Sequence, residues 1–218
     1  MTTWAVLVAA GQGDRLGADR PKAFVRLGAL PLLAEPLRRL DPSASIDGVV
    51  VVTPADWEEP AILLAEELGA SKVSACVTGG ATRSESVRLG VAEVPGDAAT
   101  IVVHDAARPL LPDDVIPRLL AALAEGWDGA VPGVPVADTV KRVHEGGVAE
   151  TLVRSELVAV QTPQAFVASV LRAAIHGEGS DCASLVEANG GRVAVVAGDE
   201  RLLKVTTPAD LERVTAWL

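Results

Sequence analysis

The sequence predicts an α/β fold: a doubly wound, mainly parallel sheet with an inserted β-hairpin arm. Three observations predict it. Short apolar runs alternate with longer amphipathic stretches, as βαβ units do. The first run, Trp4–Ala10, is unbroken and ends in glycine, like a strand buried on both faces. A segment that alternates apolar and polar residues around Gly146-Gly147 interrupts the pattern late in the chain.

The expected strands are Trp4–Ala10, Gly48–Thr53, Lys72–Val77, Thr100–His104 and Ala130–Val136, the last weakened by its prolines. Helices are expected at Glu58–Leu68, Arg83–Val94, Pro112–Glu125, Gln164–Ile175, Asp181–Asn189 and Pro208–Trp217. The last carries Thr207 at the N-cap position and Pro208 at the first helical position. The alternating segment, residues 137–155, reads as a two-stranded arm. Such a ribbon is marginal alone in water and must pack on something, which suggests dimerisation. No repeat or long linker divides the chain, so a single domain over residues 1–218 is expected.

Composition narrows the function. The 218 residues carry 19 basic and 29 acidic side chains, a net charge of −10, and 49% hydrophobic residues. Such a surface repels nucleic acid and anionic membranes, so any bound anion needs a local cluster of cations. No apolar run approaches the ~20 residues of a membrane span. Met1-Thr2-Thr3 leads straight into an apolar run without a basic leader, and Cys76 and Cys182 have no metal-ligand spacing. A cytoplasmic protein with reduced thiols is expected.

The first strand is followed by Gly11-Gln-Gly-Asp-Arg-Leu-Gly-Ala-Asp-Arg-Pro-Lys22. Gly11 and Gly13 let backbone amides approach a phosphate. The third glycine falls one place late, at Gly17, for a dinucleotide fingerprint, and no glycine directly precedes Lys22 as a Walker loop requires. Arg15, Arg20 and Lys22 nevertheless crowd one short loop of an acidic chain. Only four of the 19 basic residues are lysine, at positions 22, 72, 141 and 204. A lysine where arginine is the default suggests a site wanting a compact point charge. The fourth strand ends in Val103-His-Asp-Ala-Ala-Arg-Pro109, placing Asp105, Ala106 and Arg108 near the glycine loop. Asp105 is a candidate for a substrate hydroxyl or for a metal ion, directly or through water; Arg108 is a candidate phosphate ligand. His104, at the end of a buried strand, is expected to be structural. Thr78-Gly-Gly-Ala-Thr-Arg-Ser-Glu-Ser86 opens a helix with backbone groups that suit a base edge. No Ser-His-Asp or Cys-His arrangement is apparent, which favours direct transfer without a covalent enzyme intermediate.

Taken in order, these segments resemble the 2-C-methyl-D-erythritol 4-phosphate cytidylyltransferases. The resemblance runs through Ala9–Arg15, Pro21-Lys22, Gly79-Gly80 with Arg83 and Ser86, His104–Pro109, Asp138–Lys141, Thr162–Gln164 with Phe166, and Lys204–Thr206 with Pro208 and Asp210. It implies a homodimer, Mg²⁺ or another divalent cation, and transfer of CMP from CTP to a sugar-alcohol phosphate with release of pyrophosphate. Matched by position, Arg15 and Lys22 stabilise the transition state. Arg154, reaching from the arm into the neighbouring subunit's site, and Lys204 hold the sugar phosphate. Asp105, Arg108 and Thr139 stand on the same side, with Ala9, Ala10, Gly11, Gly80, Ala81 and Ser86 on the nucleoside side. Three departures stand out: Ala23 where the family usually has glutamine, a less acidic Ser180–Ala183 segment, and a short arm. The competing readings are a cytidylyltransferase of ribitol 5-phosphate or another pentitol phosphate, and a non-catalytic nucleotide-binding protein.

Overall fold

A computed structural model describes residues 2–13, 16–17, 19–177 and 179–218. Its frame is an eight-stranded sheet. The apolar first run forms β1 (Thr3–Val8), flanked in parallel by β4 (Gly48–Thr53) and β6 (Thr100–Asp105). Between β1 and β4 lie a short β2–β3 ribbon (Arg26–Leu27, Leu30–Pro31) and α1 (Ala34–Leu40), neither expected from the sequence. Beyond β4, α2 (Glu58–Leu68) ends on Gly69, whose φ of 67° is the left-handed cap that glycine adopts freely. It leads to the edge strand β5 (Val73–Thr78), parallel to β4.

The second half is built outward from β6. α3 (Arg83–Ala92) precedes it and α4 (Val115–Ala124) follows. Then come β7 (Gly129–Pro135) and an exposed hairpin, β8 (Lys141–His144) with β9 (Gly147–Thr151). β10 (Val158–Val160) and β11 (Gln164–Val167) succeed one another along one edge of β7, and β12 (Val193–Ala197) pairs with its other edge. α5 (Ala168–Ala174), α6 (Cys182–Ala188) and α7 (Pro208–Thr215) complete the chain.

Strand periodicity sorts the core into two layers. Ala5, Leu7, Val49, Val51 and Val102 face α1, α2 and α4, through Leu37, Leu64 and Leu119. Val6, Val50, Val52, Ile101 and Val103 face α3, α5 and α6, through Val87, Leu171 and Val186. Helices thus cover both faces, as a doubly wound sheet requires.

Two expectations are corrected. The helix expected over 164–175 is helical only from Ala168 to Ala174; Gln164–Val167 form β11, antiparallel to both β6 and β7. Phe166 is fully buried there, so the slot between two parallel strands, not local propensity, decides the conformation. The hairpin turns one residue earlier than expected. Glu145 and Gly146 take positive φ, 48° and 80°, the geometry of a two-residue turn that continues strand twist. Every residue of β8 and β9 is exposed, so the packing partner expected for the arm is not found among the described residues of its own chain. The capping of α7 is as expected: Thr207 and Asp210 form a reciprocal box with Pro208 at its start.

Candidate active site

Open parallel sheets bind ligands beyond the carboxyl ends of their strands, where the strand order reverses. Here that point is the C-terminal end of β1 and β6. A cleft of about 440 Å³ opens there, lined by Val8–Gln12, Lys22, Ala23, Gly80–Arg83, Ser86, Asp105–Ala107 and Lys204. Three cations, Lys22, Arg83 and Lys204, face one carboxylate, Asp105, in a chain whose net charge is −10.

The loop after β1 is tied to the sheet by the Ala9 amide, which donates to the Val52 carbonyl at 2.7 Å. Its crossing over Lys22 requires glycine: a Cβ on Gly13, which sits at φ 82°, would lie 2.7 Å from the Lys22 Cβ. Lys22 heads a short 3-10 turn, Lys22–Phe24, pinned by buried Ala23 and Phe24, with the Phe24 ring 4.4 Å from that of Trp57. Ala23, the departure from the family pattern, is core packing. The Lys22 ammonium donates to the Val205 carbonyl at 3.3 Å. Arg15 lies outside the described residues.

The second wall is the loop entering α3. The Thr82 hydroxyl caps the helix by accepting the Glu85 amide, and the Glu85 carboxylate accepts the Ala81 amide at 2.8 Å. Buried Ser86 accepts the Gly80 amide at 3.1 Å and donates to the Thr82 carbonyl at 2.9 Å. Ser86 therefore braces this loop as well as lining the cleft.

Asp105 is the electrostatic centre. Arg83 donates to its Oδ1 from Nε at 3.0 Å and Nη2 at 2.9 Å, and Lys204 donates to Oδ2 at 2.7 Å. Burial alone would raise the Asp105 pKa, but the Arg83 and Lys204 charges hold it well below the usual carboxylate range. With both oxygens engaged by cations, Asp105 is a poor direct ligand for a divalent ion, and no trio of His, Cys, Asp or Glu converges among the described residues. The described residues thus do not by themselves fit a metal site.

The structure gathers Ala9, Ala10, Gly11, Lys22, Gly80, Ala81, Ser86, Asp105, Ala106 and Lys204 around one cleft, with Gly13 packed beneath Lys22. Arg108 does not line the cleft: its half-buried guanidinium donates to the Leu202 carbonyl, yet it stands near enough to Asp105 and Arg83 to feel both charges. Thr139 and Arg154 lie exposed at the base of the arm, Arg154 donating to the Ala137 carbonyl at 2.7 Å. Arg83 has no role in the sequence reading beyond its place in a motif. One signal was available: a cation in the first turn of α3 opposes the helix dipole, which implies a nearby carboxylate.

His104 is fully buried, and burial lowers its pKa to about 4. Asp105 opposes that shift and the Arg108 charge reinforces it. A histidine that titrates near 6.5 when unfolded but near 4 when folded stabilises the fold fully above pH 6.5 and loses that contribution as pH falls toward 4. The loss should approach roughly 3 kcal/mol. Urea unfolding at pH 7 and pH 4.5 checks it; equal stabilities would contradict this account of the buried imidazole.

Comparison with known proteins agrees with this geometry. The family described as IspD, 2-C-methyl-D-erythritol 4-phosphate cytidylyltransferase, matches residues 3–218. A protein of that name from Nocardia farcinica is 45% identical over 210 residues, 95% of this chain and 90% of the relative. Another, from Saccharopolyspora erythraea, is 45% identical over the whole of both chains. The crystal structure of the 2-C-methyl-D-erythritol 4-phosphate cytidylyltransferase from Thermus thermophilus superposes with a TM-score of 0.78 at 32% identity, covering 97% of this chain and 96% of that one. A cleft that gathers the glycine loop, Lys22, Asp105 and Lys204, on a chain matched almost end to end, leads to one assignment: the chain belongs to the family of 2-C-methyl-D-erythritol 4-phosphate cytidylyltransferases, nucleotidyltransferases of isoprenoid biosynthesis.

Proposed function

We propose that the cleft binds CTP with its triphosphate along the Ala9–Gly13 loop and its cytidine toward Gly80, Ala81 and Ser86. The substrate 2-C-methyl-D-erythritol 4-phosphate lies beside Asp105 and Lys204. A phosphate oxygen of this substrate attacks the α-phosphorus in line, the new P–O bond forms as the bond to the β-phosphate oxygen breaks, and pyrophosphate leaves. The products are 4-diphosphocytidyl-2-C-methyl-D-erythritol and pyrophosphate. Charge building on the non-bridging oxygens is met by Lys22 and, by the family resemblance, Arg15. A divalent cation, Mg²⁺ being the expected one, would come with the nucleotide and would supply positive charge against the triphosphate. The observation that carries the reading is the convergence of three cations on an amide-lined cleft of an acidic protein. Pyrophosphate release from a panel of CTP, UTP, ATP and GTP with methylerythritol phosphate and pentitol phosphates tests it. Preference for ribitol 5-phosphate would favour the pentitol alternative, and no release above background would leave a nucleotide-binding protein.

The chain works as one nucleotidyltransferase domain, residues 1–218, with 137–155 as a dimerisation arm. Support comes from the exposed apolar side chains on and beside the arm: Val143, Val148, Val153, Val158 and Val160. Dimerisation gives Arg154 to the neighbouring subunit's site. Arg154→Ala should then raise the KM for the sugar phosphate about tenfold or more, as loss of a charged ligand pair does. At sugar phosphate well below KM, mixing its subunits with those of Lys22→Ala should restore about a quarter of the wild-type rate, because half of the random dimers hold one intact site. Failure of the mixture to gain activity would remove Arg154 from the partner's site. A cytoplasmic setting suits the two free cysteines, and no helix among the described residues is long and apolar enough to cross a membrane.

A further inference from the structure

The residues that follow β6 form a turn held from several sides. The Arg108 amide donates to the Asp105 carbonyl at 2.9 Å, and the Ala106 amide to the Val8 carbonyl at the end of β1, also at 2.9 Å. The Val205 amide donates to the Ala107 carbonyl at 2.8 Å. Val205 therefore ties three cleft elements together: it follows Lys204, bonds the turn through its amide, and accepts Lys22 through its carbonyl.

Inside this turn stands the His104 ring, fully buried. Its Nε2 is 3.1 Å from the Arg108 carbonyl, which can only accept, so Nε2 carries the proton. Nδ1 of the neutral ring is then an acceptor, 3.2 Å from the Thr162 hydroxyl. The Thr162 oxygen in turn accepts the Asp105 amide at 3.0 Å. One unbroken chain thus runs from the Arg108 carbonyl through imidazole and hydroxyl to the backbone of Asp105, and each link leaves the next only one role. The chain also crosses between elements, because Thr162 lies just before β11 and His104 within β6.

We infer that His104 and Thr162 are positioning residues for the reaction: together they set the turn from Asp105 to Arg108 so that the Asp105 carboxylate stands between Arg83 and Lys204 at the sugar-phosphate side of the cleft. Neither touches substrate; both act through Asp105. The inference rests on the proposed reaction.

Thr162→Val keeps the side-chain shape while removing both the donor to His104 and the acceptor for the Asp105 amide. It is expected to lower kcat/KM for the sugar phosphate on the order of tenfold, the usual size for a lost orienting partner. The KM for CTP should stay within about twofold, and Thr162→Ser should recover at least about half of the activity, since its hydroxyl keeps both roles. In an Asp105→Asn background the same Thr162→Val change should cost less than about twofold, because its effect passes through the carboxylate already removed. A full loss in that background, or equal falls in the parameters of both substrates, would overturn the inference. Nitrogen-detected NMR of the wild-type imidazole is independent of how the variants fold: it should show a proton on Nε2 and none on Nδ1 near pH 7, and the opposite tautomer would overturn the chain. A wild-type enzyme that releases no pyrophosphate from CTP and methylerythritol phosphate would instead sink the proposed reaction.

Discussion

Lys22→Ala is expected to lower kcat by at least ~10²-fold, the size seen when one charge-stabilising donor is removed from a transition state. The side chain is well placed for that role. Its backbone is pinned by a 3-10 turn, its Cβ packs against Gly13, and its ammonium sits at the cleft beside the Val205 carbonyl. In-line transfer builds negative charge on the α-phosphate oxygens as the bond to pyrophosphate stretches. A compact ammonium on a flexible stem can follow that charge, and a planar guanidinium cannot take the same place. Lys22→Arg should therefore recover only part of the rate. Steady-state pyrophosphate release measures both variants, with the thermal midpoint as a control for folding. Turnover of Lys22→Ala within about threefold of wild type would remove Lys22 from the phosphate site.

Phe166→Ala should be the most damaging change to stability. The ring is fully buried on β11, packed over Gly129 so closely that a Cβ there would lie 2.6 Å from its Cδ1. Removing a buried phenylalanine costs about 3–5 kcal/mol, because the lost transfer energy is joined by an unfilled cavity. For a chain of this length that lowers the melting temperature by roughly 10 °C. Calorimetry would show it, and a shift under about 3 °C would mean that the layer beside α5 and α6 collapses readily into the space.

The elements legible in the sequence are those whose burial is uniform or whose ends are marked. β1 and β4 read as strands because both of their faces are covered, so their side chains are apolar at nearly every position. α2 spans the residues expected of it, and α7 announces its start with Thr207 and Pro208. β11 was not legible. Gln-Ala-Phe-Val has no periodicity of its own, and its conformation is imposed by hydrogen bonds from β6 and β7, strands remote in sequence. α1, β10 and β12 were missed for the same reason: each is short and takes its form from what it packs against.

The site divides along the same line. The sequence alone determined that an acidic chain concentrates rare lysines and paired glycines in a few motifs, because composition and spacing are local properties. From those it could name Lys22, Asp105 and Lys204 as site residues. Which charges meet was decided only by the tertiary structure. Arg83, Asp105 and Lys204 come from three distant segments, and Coulomb attraction acts on distance in space, not on separation along the chain. Arg108, a neighbour of Asp105 in sequence, donates instead to the Leu202 carbonyl, because Arg83 and Lys204 already occupy both oxygens of the Asp105 carboxylate.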